Sequence, residues 1–149
     1  MRAVIQRVKN ASVTVDNKVI SSINQGYLVL LGVEKGDLQS DIDYIVNKIV
    51  GLRVFEDTDE KMNLSIKDIQ GEIIVVSQFT LAGDARKGRR PSFSNAMAPN
   101  EANKMYMKVV DQIKSYGIKV GTGEFGADMD VSLINSGPVT ILLDSHRKF

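Results

Sequence analysis

The stretch VVSQFTLAGDARKGRRPSF, residues 75–93, runs from an apolar strand through hydroxyl and amide side chains into a basic, glycine-containing loop. Ser77 and Thr80 stand at the expected strand end, where a nucleophile or an oxyanion site could sit, although such residues also end strands by bonding to nearby backbone. A hydroxyl nucleophile of the serine–histidine kind needs a base held beside it. The single histidine, His146, lies three residues from the last residue, in DSHRKF. Chains fray in such tails, so a conventional serine hydrolase is discounted. Arg86, Lys87, Arg89 and Arg90 fall within five positions, a local excess able to attract phosphates. Gly88 would let backbone approach a phosphate, but no P-loop or dinucleotide fingerprint surrounds it, and a solvated loop accounts for the same residues.

A second stretch, INSGPVTILL at 134–143, sets Gly137 and Pro138 inside a strand-like run. Proline gives no N–H to a sheet and is confined to edges, strand starts and bulges. Two readings follow. In one, Asn135 to Pro138 form a hairpin loop joining strands Met129–Ile134 and Val139–Leu143. In the other, the pair presents backbone carbonyls to a ligand. Metal and cofactor chemistry find little support. There is no cysteine and no histidine pair, and the carboxylates of EDTDE read as a turn. No metal and no cofactor are expected.

The elements that must position these residues are readable from pattern. The chain has 149 residues, net charge +1 and 43% hydrophobic residues, which suits one domain with an ordinary core. MRAVIQRV alternates polar and apolar instead of forming a leader, and the longest apolar run, YLVLLGV, is far below the ~20 residues that span a bilayer. A cytoplasmic protein without a membrane segment is expected. RAVIQRVK, ASVTVD, KVISSI and GYLVLLGVE read as successive antiparallel strands, punctuated at Asn10, at Asp16-Asn17 and from Asn24 to Gly26. A helix is expected over Asp41–Val50, with Ile42, Ile45, Val46 and Ile49 on one face and Ser40 with Asp43 as a capping box. A buried strand follows over Glu72–Gln78. In PNEANKMYMKVVDQIKSYG, Ala102, Met105, Tyr106, Val109, Ile113 and Tyr116 form a stripe read as core packing and not as a binding face, with Pro99 and Glu101 at the start and Gly117 at the stop. The sum is an α+β fold, a largely antiparallel sheet backed by two helices in a single domain.

SQFTL at 77–81, KGRRPSF at 87–93 and NSGPVT at 135–140 together resemble the D-aminoacyl-tRNA deacylases. QRV at 6–8, ASVTV at 11–15, LLGVEKGD at 30–37, KMNLS at 61–65 and FGADMDVSL at 125–133 match the same family, so the resemblance covers the whole chain. It implies a homodimer that hydrolyses the ester between a D-amino acid and the 3′ end of tRNA, and that also accepts glycine mischarged on tRNA-Ala. It implies that the Gly137–Pro138 peptide is cis and enters the partner's pocket, facing Ser77, Gln78, Phe79 and Thr80 there. It further implies backbone oxyanion donors around Phe79 and Thr80, Ser77 and Gln78 orienting the ester or terminal nucleotide, and Arg7 bracing the Gly-Pro loop. The tRNA's terminal ribose 2′-hydroxyl would help activate water, and Thr80 would be a nucleophile or, as favoured, a positioning hydroxyl. Ala82 and Gly83 depart from many relatives, which carry a bulkier residue and then alanine. A non-catalytic tRNA-binding module and an esterase with a Thr80 or Ser77 nucleophile are the competing readings.

Overall fold

The computed structural model describes residues 1–148. In chain order its elements are β1 (Arg2–Val15), β2 (Lys18–Ile23), β3 (Gly26–Gly32), α1 (Gln39–Gly51), β4 (Phe55–Glu56) and β5 (Met62–Leu64). There follow β6 (Glu72–Ser77), a 3-10 helical turn (Phe79–Ala82), α2 (Pro99–Lys114), β7 (Val120–Thr122) and β8 (Asp130–Asp144).

β1 is the spine. The pattern predicts two strands broken at Asn10, but the structure has one; Lys9 and Asn10 are exposed, and the pairing with β8 shifts register there, so Asn10 marks a bulge. A bulge takes in one extra residue without ending the ladder. Asp16 and Asn17, at φ 48° and 61°, turn the chain into β2, as a two-residue hairpin requires. One edge of β1 is then filled in tandem, Ala11–Val15 by β2 and Arg2–Val8 by β3, both antiparallel.

Most of the pairing is antiparallel, as expected, but the sheet is mixed, because β3 pairs β6 and β6 pairs β7 in parallel. The cause is connectivity: α1 lies between β3 and β6, and α2 between β6 and β7. A helical crossover returns the chain to the end where it began and makes the two strands parallel. The resulting mixed sheet curls, and Gly121 of β7 lies so close to Ser21 of β2 that a side chain at 121 would collide with the Ser21 hydroxyl. Val8, Val13, Leu28, Ile74 and Val76 fill the inside of this nearly barrel-like sheet. The two helices cover the other face over Ile5, Tyr27, Val29, Ile73 and Val75.

Ile42, Ile45, Val46 and Ile49 of α1 are fully buried, as their spacing predicts. The cap differs from expectation: the Asp41 carboxylate accepts the Leu38 N–H at 2.7 Å, while Asp43 accepts from Gln39 and Gln112, each at 3.0 Å, and ties α1 to α2. Each buried Ile contributes ~1.5–3 kcal/mol against ~1 kcal/mol for a cap, so packing fixes this helix more than capping does. No described helix is long and apolar enough to cross a membrane.

The hairpin reading of INSGPVTILL is overturned. Ile134 pairs Asn10, Asn135 pairs Val8 and Thr140 pairs Gln6, so both halves belong to one strand, β8, running antiparallel to β1. Ser136 to Val139 form a wide bulge opposite Arg7. β1 is long enough to template β8 on both sides of the interruption, so Gly137 and Pro138 are tolerated within a continuous strand.

Candidate active site

At its C-terminal end β6 leaves the sheet. Ser77 pairs Leu31, the Gln78 N–H donates to the Leu31 carbonyl at 2.8 Å, and the chain then winds into the turn. Leu81 N–H donates to Gln78 O at 3.2 Å and Gly83 N–H to Thr80 O at 2.9 Å. The N–H groups of Phe79 and Thr80 lie at the start of this winding and have no partner within it. Gly32 lets the turn sit directly on β3, since a Cβ there would stand 2.9 Å from both Gln78 O and Leu81 Cβ. The Gln78 amide nitrogen donates to the Thr80 hydroxyl oxygen.

A cleft of about 600 Å³ opens beside the turn, with Ser77, Gln78 and Phe79 on one wall and Phe93, Met97, Tyr106, Phe125 and Met129 on the others. Phe79 and Phe93, 59% and 36% exposed, meet edge to face at 5.3 Å. They give the mouth an aromatic rim. Deeper in, Tyr106 donates to Val75 O at 2.7 Å; burial pushes its phenol up to about 12, with the Gly123 backbone pulling the other way. Tyr106 is therefore neutral at physiological pH. Among the described residues, Asp128 is the one carboxylate on the cleft wall, and no histidine, lysine, arginine or cysteine lines it. Ala102 and Tyr106 of α2 also line the cleft, so the start of the α2 stripe is not core packing alone, which corrects the expectation for that face.

Gly137 and Pro138 are elsewhere. Their peptide is cis, with Gly137 at φ 119°, and neither residue lines the cleft. In the sheet β8 is separated from β6 by β1 and β3. One copy of the chain therefore does not bring the two motifs together. Arg7 lies behind the bulge, 6% exposed. It donates through Nε to Ser136 O at 3.1 Å and through Nη1 to Val54 O at 2.6 Å, and pairs with Glu56 at 3.4 Å.

The basic loop is closed by mutual backbone bonds between Asp84 and Ser92, and Phe93 continues it to the cleft mouth. Arg86 also pairs within the loop. It grips Asp84 through two bonds of 2.9 and 2.7 Å, and those bonds hold the Asp84 carboxyl well below the usual carboxylate range. Lys87, Arg89 and Arg90 are exposed.

A family model described as D-Tyr-tRNA(Tyr) deacylase matches residues 4–144. The chain belongs to this family. The deacylases most like it include that of Clostridioides difficile (strain 630), named D-aminoacyl-tRNA deacylase and 59% identical over the whole of both chains. One of the same name from Thermosipho africanus (strain TCF52B) is 58% identical, also over the whole of both. Among solved structures, the c-Myc DNA Unwinding Element Binding Protein superposes with a TM-score of 0.91 at 43% identity, covering 97% of this chain and 98% of that one. "Structural Analysis of a probable eukaryotic D-amino acid tRNA deacylase" shares the fold alone, with a TM-score of 0.82 at 16% identity over 95% and 97% of the two chains. By name the family is one of hydrolases acting on the ester of aminoacyl-tRNA.

In this deacylase-family chain the lining of the cleft is only partly legible from the sequence. Phe93 and Met97 reach the cleft from one stretch, and Phe125 and Met129 from another. KGRRPSF and FGADM, both part of the resemblance, could have flagged Phe93, Phe125 and Met129, but not Met97. The fold also assembles a cluster that no spacing announces: His146 stands 3.5 Å from Asp41 and 3.9 Å from Asp37. The Met1 amino nitrogen is itself 2.6 Å from Asp37, so this cluster is already cation-paired. His146 is held by Asp144 and not frayed, its N–H donating to that carboxylate at 2.7 Å. It lines no part of the cleft.

Proposed function

We propose that this protein hydrolyses D-aminoacyl-tRNA, releasing the D-amino acid and tRNA, and that it treats glycyl-tRNA mischarged on tRNA-Ala in the same way. The observation that carries the reading is the Ser77–Thr80 turn, opening into a cleft that holds no activated side-chain base among the described residues. Water adds to the ester carbonyl, the carbonyl oxygen becomes an oxyanion held by the Phe79 and Thr80 N–H groups, and collapse breaks the bond to the ribose oxygen, which takes up the proton the water gave up. Removing one oxyanion donor typically costs ~2.7–4 kcal/mol, so two backbone donors supply much of what a base would otherwise add. The terminal ribose 2′-hydroxyl of the substrate assists the water. Gln78 and Ser77 orient the ester, and Thr80, already accepting from Gln78, positions substrate. The aromatic rim suits a terminal base, stacking being worth ~1–3 kcal/mol.

Chirality is read by a second copy. Gly137 and Pro138 of the partner subunit accept hydrogen bonds from the substrate ammonium and crowd the side of Cα where an L side chain would project. A D side chain points away, and glycine has none to clash. The working unit is a two-fold dimer. It is supported by the separation of the two motifs within one chain, by the unladdered outer edge of β8 among the described residues, and by the exposed Ile134 and Leu142 on that strand. A second reading, nucleic-acid binding without catalysis, draws on the basic loop and on a 43%-identical structure named for a DNA element. Matched D-, L- and glycyl-tRNAs incubated with purified protein decide between them. Release from the D- and glycyl-esters with the L-ester intact is expected. Equal binding of all three with no release would establish the binding module, and an acyl group trapped on Ser77 or Thr80 would establish the nucleophile.

A further inference from the structure

The C-terminal end of the Phe79–Ala82 turn has one carbonyl whose partner is not backbone. Thr80 O accepts from Gly83 N–H. Leu81 O would next accept from Asp84 N–H, but Asp84 N–H instead donates to Ser92 O at 2.8 Å to close the basic loop. The Arg2 guanidinium fills the gap, Nη1 donating to Leu81 O at 2.8 Å.

Arg2 is itself immobilised. Its Nε donates to Asp144 at 3.2 Å and its Nη2 pairs with Glu34 at 3.3 Å. Both carboxylates are buried, Glu34 at 4% and Asp144 at 2% exposure. A planar guanidinium can serve three acceptors in fixed directions at once, which an ammonium on a flexible stem cannot. The main chain of Arg2 pairs Gly32, the glycine on which the turn rests. Glu34 also bridges to Ala96, beside Met97 on the cleft wall. One side chain thus joins the turn, β8 and the far wall of the cleft.

We propose that Arg2 is a positioning residue for deacylation: its guanidinium fixes the Leu81 end of the turn and so the aim of the Phe79 and Thr80 N–H groups. The inference rests on the reading of that turn as the oxyanion site. Positioning at this level matters because a misplacement of about 1 Å can cost on the order of 100-fold in rate.

The test is Arg2→Lys, which keeps a cation beside the two buried carboxylates and so keeps the fold, but cannot reach all three acceptors. A second variant, Arg2→Gln with Glu34→Gln, removes one cation and one anion together, so the net charge of the cluster is kept and Asp144 is the one carboxylate that loses its guanidinium. Two quantities are read: kcat and KM on D-aminoacyl-tRNA, and amide hydrogen exchange at Leu81 and Gly83, whose N–H groups are bonded within the turn. The expected result is a fall in kcat of about tenfold or more with KM within about twofold, together with faster exchange at Leu81 and Gly83 and unchanged exchange in β3. Unchanged exchange at those two amides in a folded variant overturns the positioning role itself. Faster exchange with unchanged kcat also overturns the proposal, and does so by showing that the turn is not the catalytic element.

Discussion

The Thr80 hydroxyl already accepts a hydrogen bond from the Gln78 amide, and the one histidine stands among Asp37, Asp41 and Asp144, not in the cleft. Thr80→Ala removes the hydroxyl but leaves the N–H, so hydrolysis of D-aminoacyl-tRNA should fall by less than about tenfold, far short of the loss expected on removing a nucleophile. Phe79→Pro is the complementary change, because proline is tolerated at the first position of a helical turn but brings no N–H. It should cost about 100- to 1000-fold in kcat, with Phe79→Ala as the control for loss of the ring. Asp128 is the single carboxylate on the cleft wall among the described residues. A general base typically contributes ~10²–10⁴-fold. Asp128→Asn should therefore leave kcat within about threefold if the substrate's own ribose assists the water, and a hundredfold loss would assign the base to Asp128. At this scale Ser77 to Thr80 could be singled out because they are contiguous and carry polar groups at a strand end. Met97 could not, since nothing local distinguishes a cleft-lining Met from a core one.

Elements explain where sequence reading succeeded and where it stopped. α1 and α2 were legible because a one-sided apolar stripe is a local property. Parallel pairing was not, because it depends on which strands a crossover helix brings together. The bulge of β8 shows the same limit. Gly137 and Pro138 carry the local chemistry of a turn, and only β1, some 130 positions away in sequence, keeps the strand continuous across them. The basic loop was found from composition, but the pairing of Arg86 with Asp84 inside it was not. Among the described residues Lys87, Arg89 and Arg90 make no such pair, and Lys87 with Arg89 is the pair to test. Replacing both with Gln should lower the salt-dependence slope of tRNA binding by ~0.7–0.9 for each phosphate that is no longer neutralised. Arg86→Gln should change the slope less. An unchanged slope in the double variant would assign the loop to solvation.

Over the whole molecule, the sheet that creates the cleft also keeps Gly137 and Pro138 out of it, with β1 and β3 standing between. The account therefore requires two copies, each lending its bulge to the other's turn. Gly137→Ala disables the bulge: a Cβ there would lie 2.6 Å from Arg7 Nη2 and 2.9 Å from Val139 Cγ2, on a backbone at φ 119° that L residues rarely adopt. Phe79→Pro disables the turn. The decisive measurement is D-aminoacyl-tRNA hydrolysis by a dimer that pairs one Phe79→Pro chain with one Gly137→Ala chain, isolated with two different affinity tags. Sharing across subunits predicts one intact site, built from the sound turn of one chain and the sound bulge of the other, and so about half of parental activity with the L-ester still spared. A mixed dimer no more active than either variant dimer would contradict the account, because it would place the turn and the bulge of a working site on the same chain.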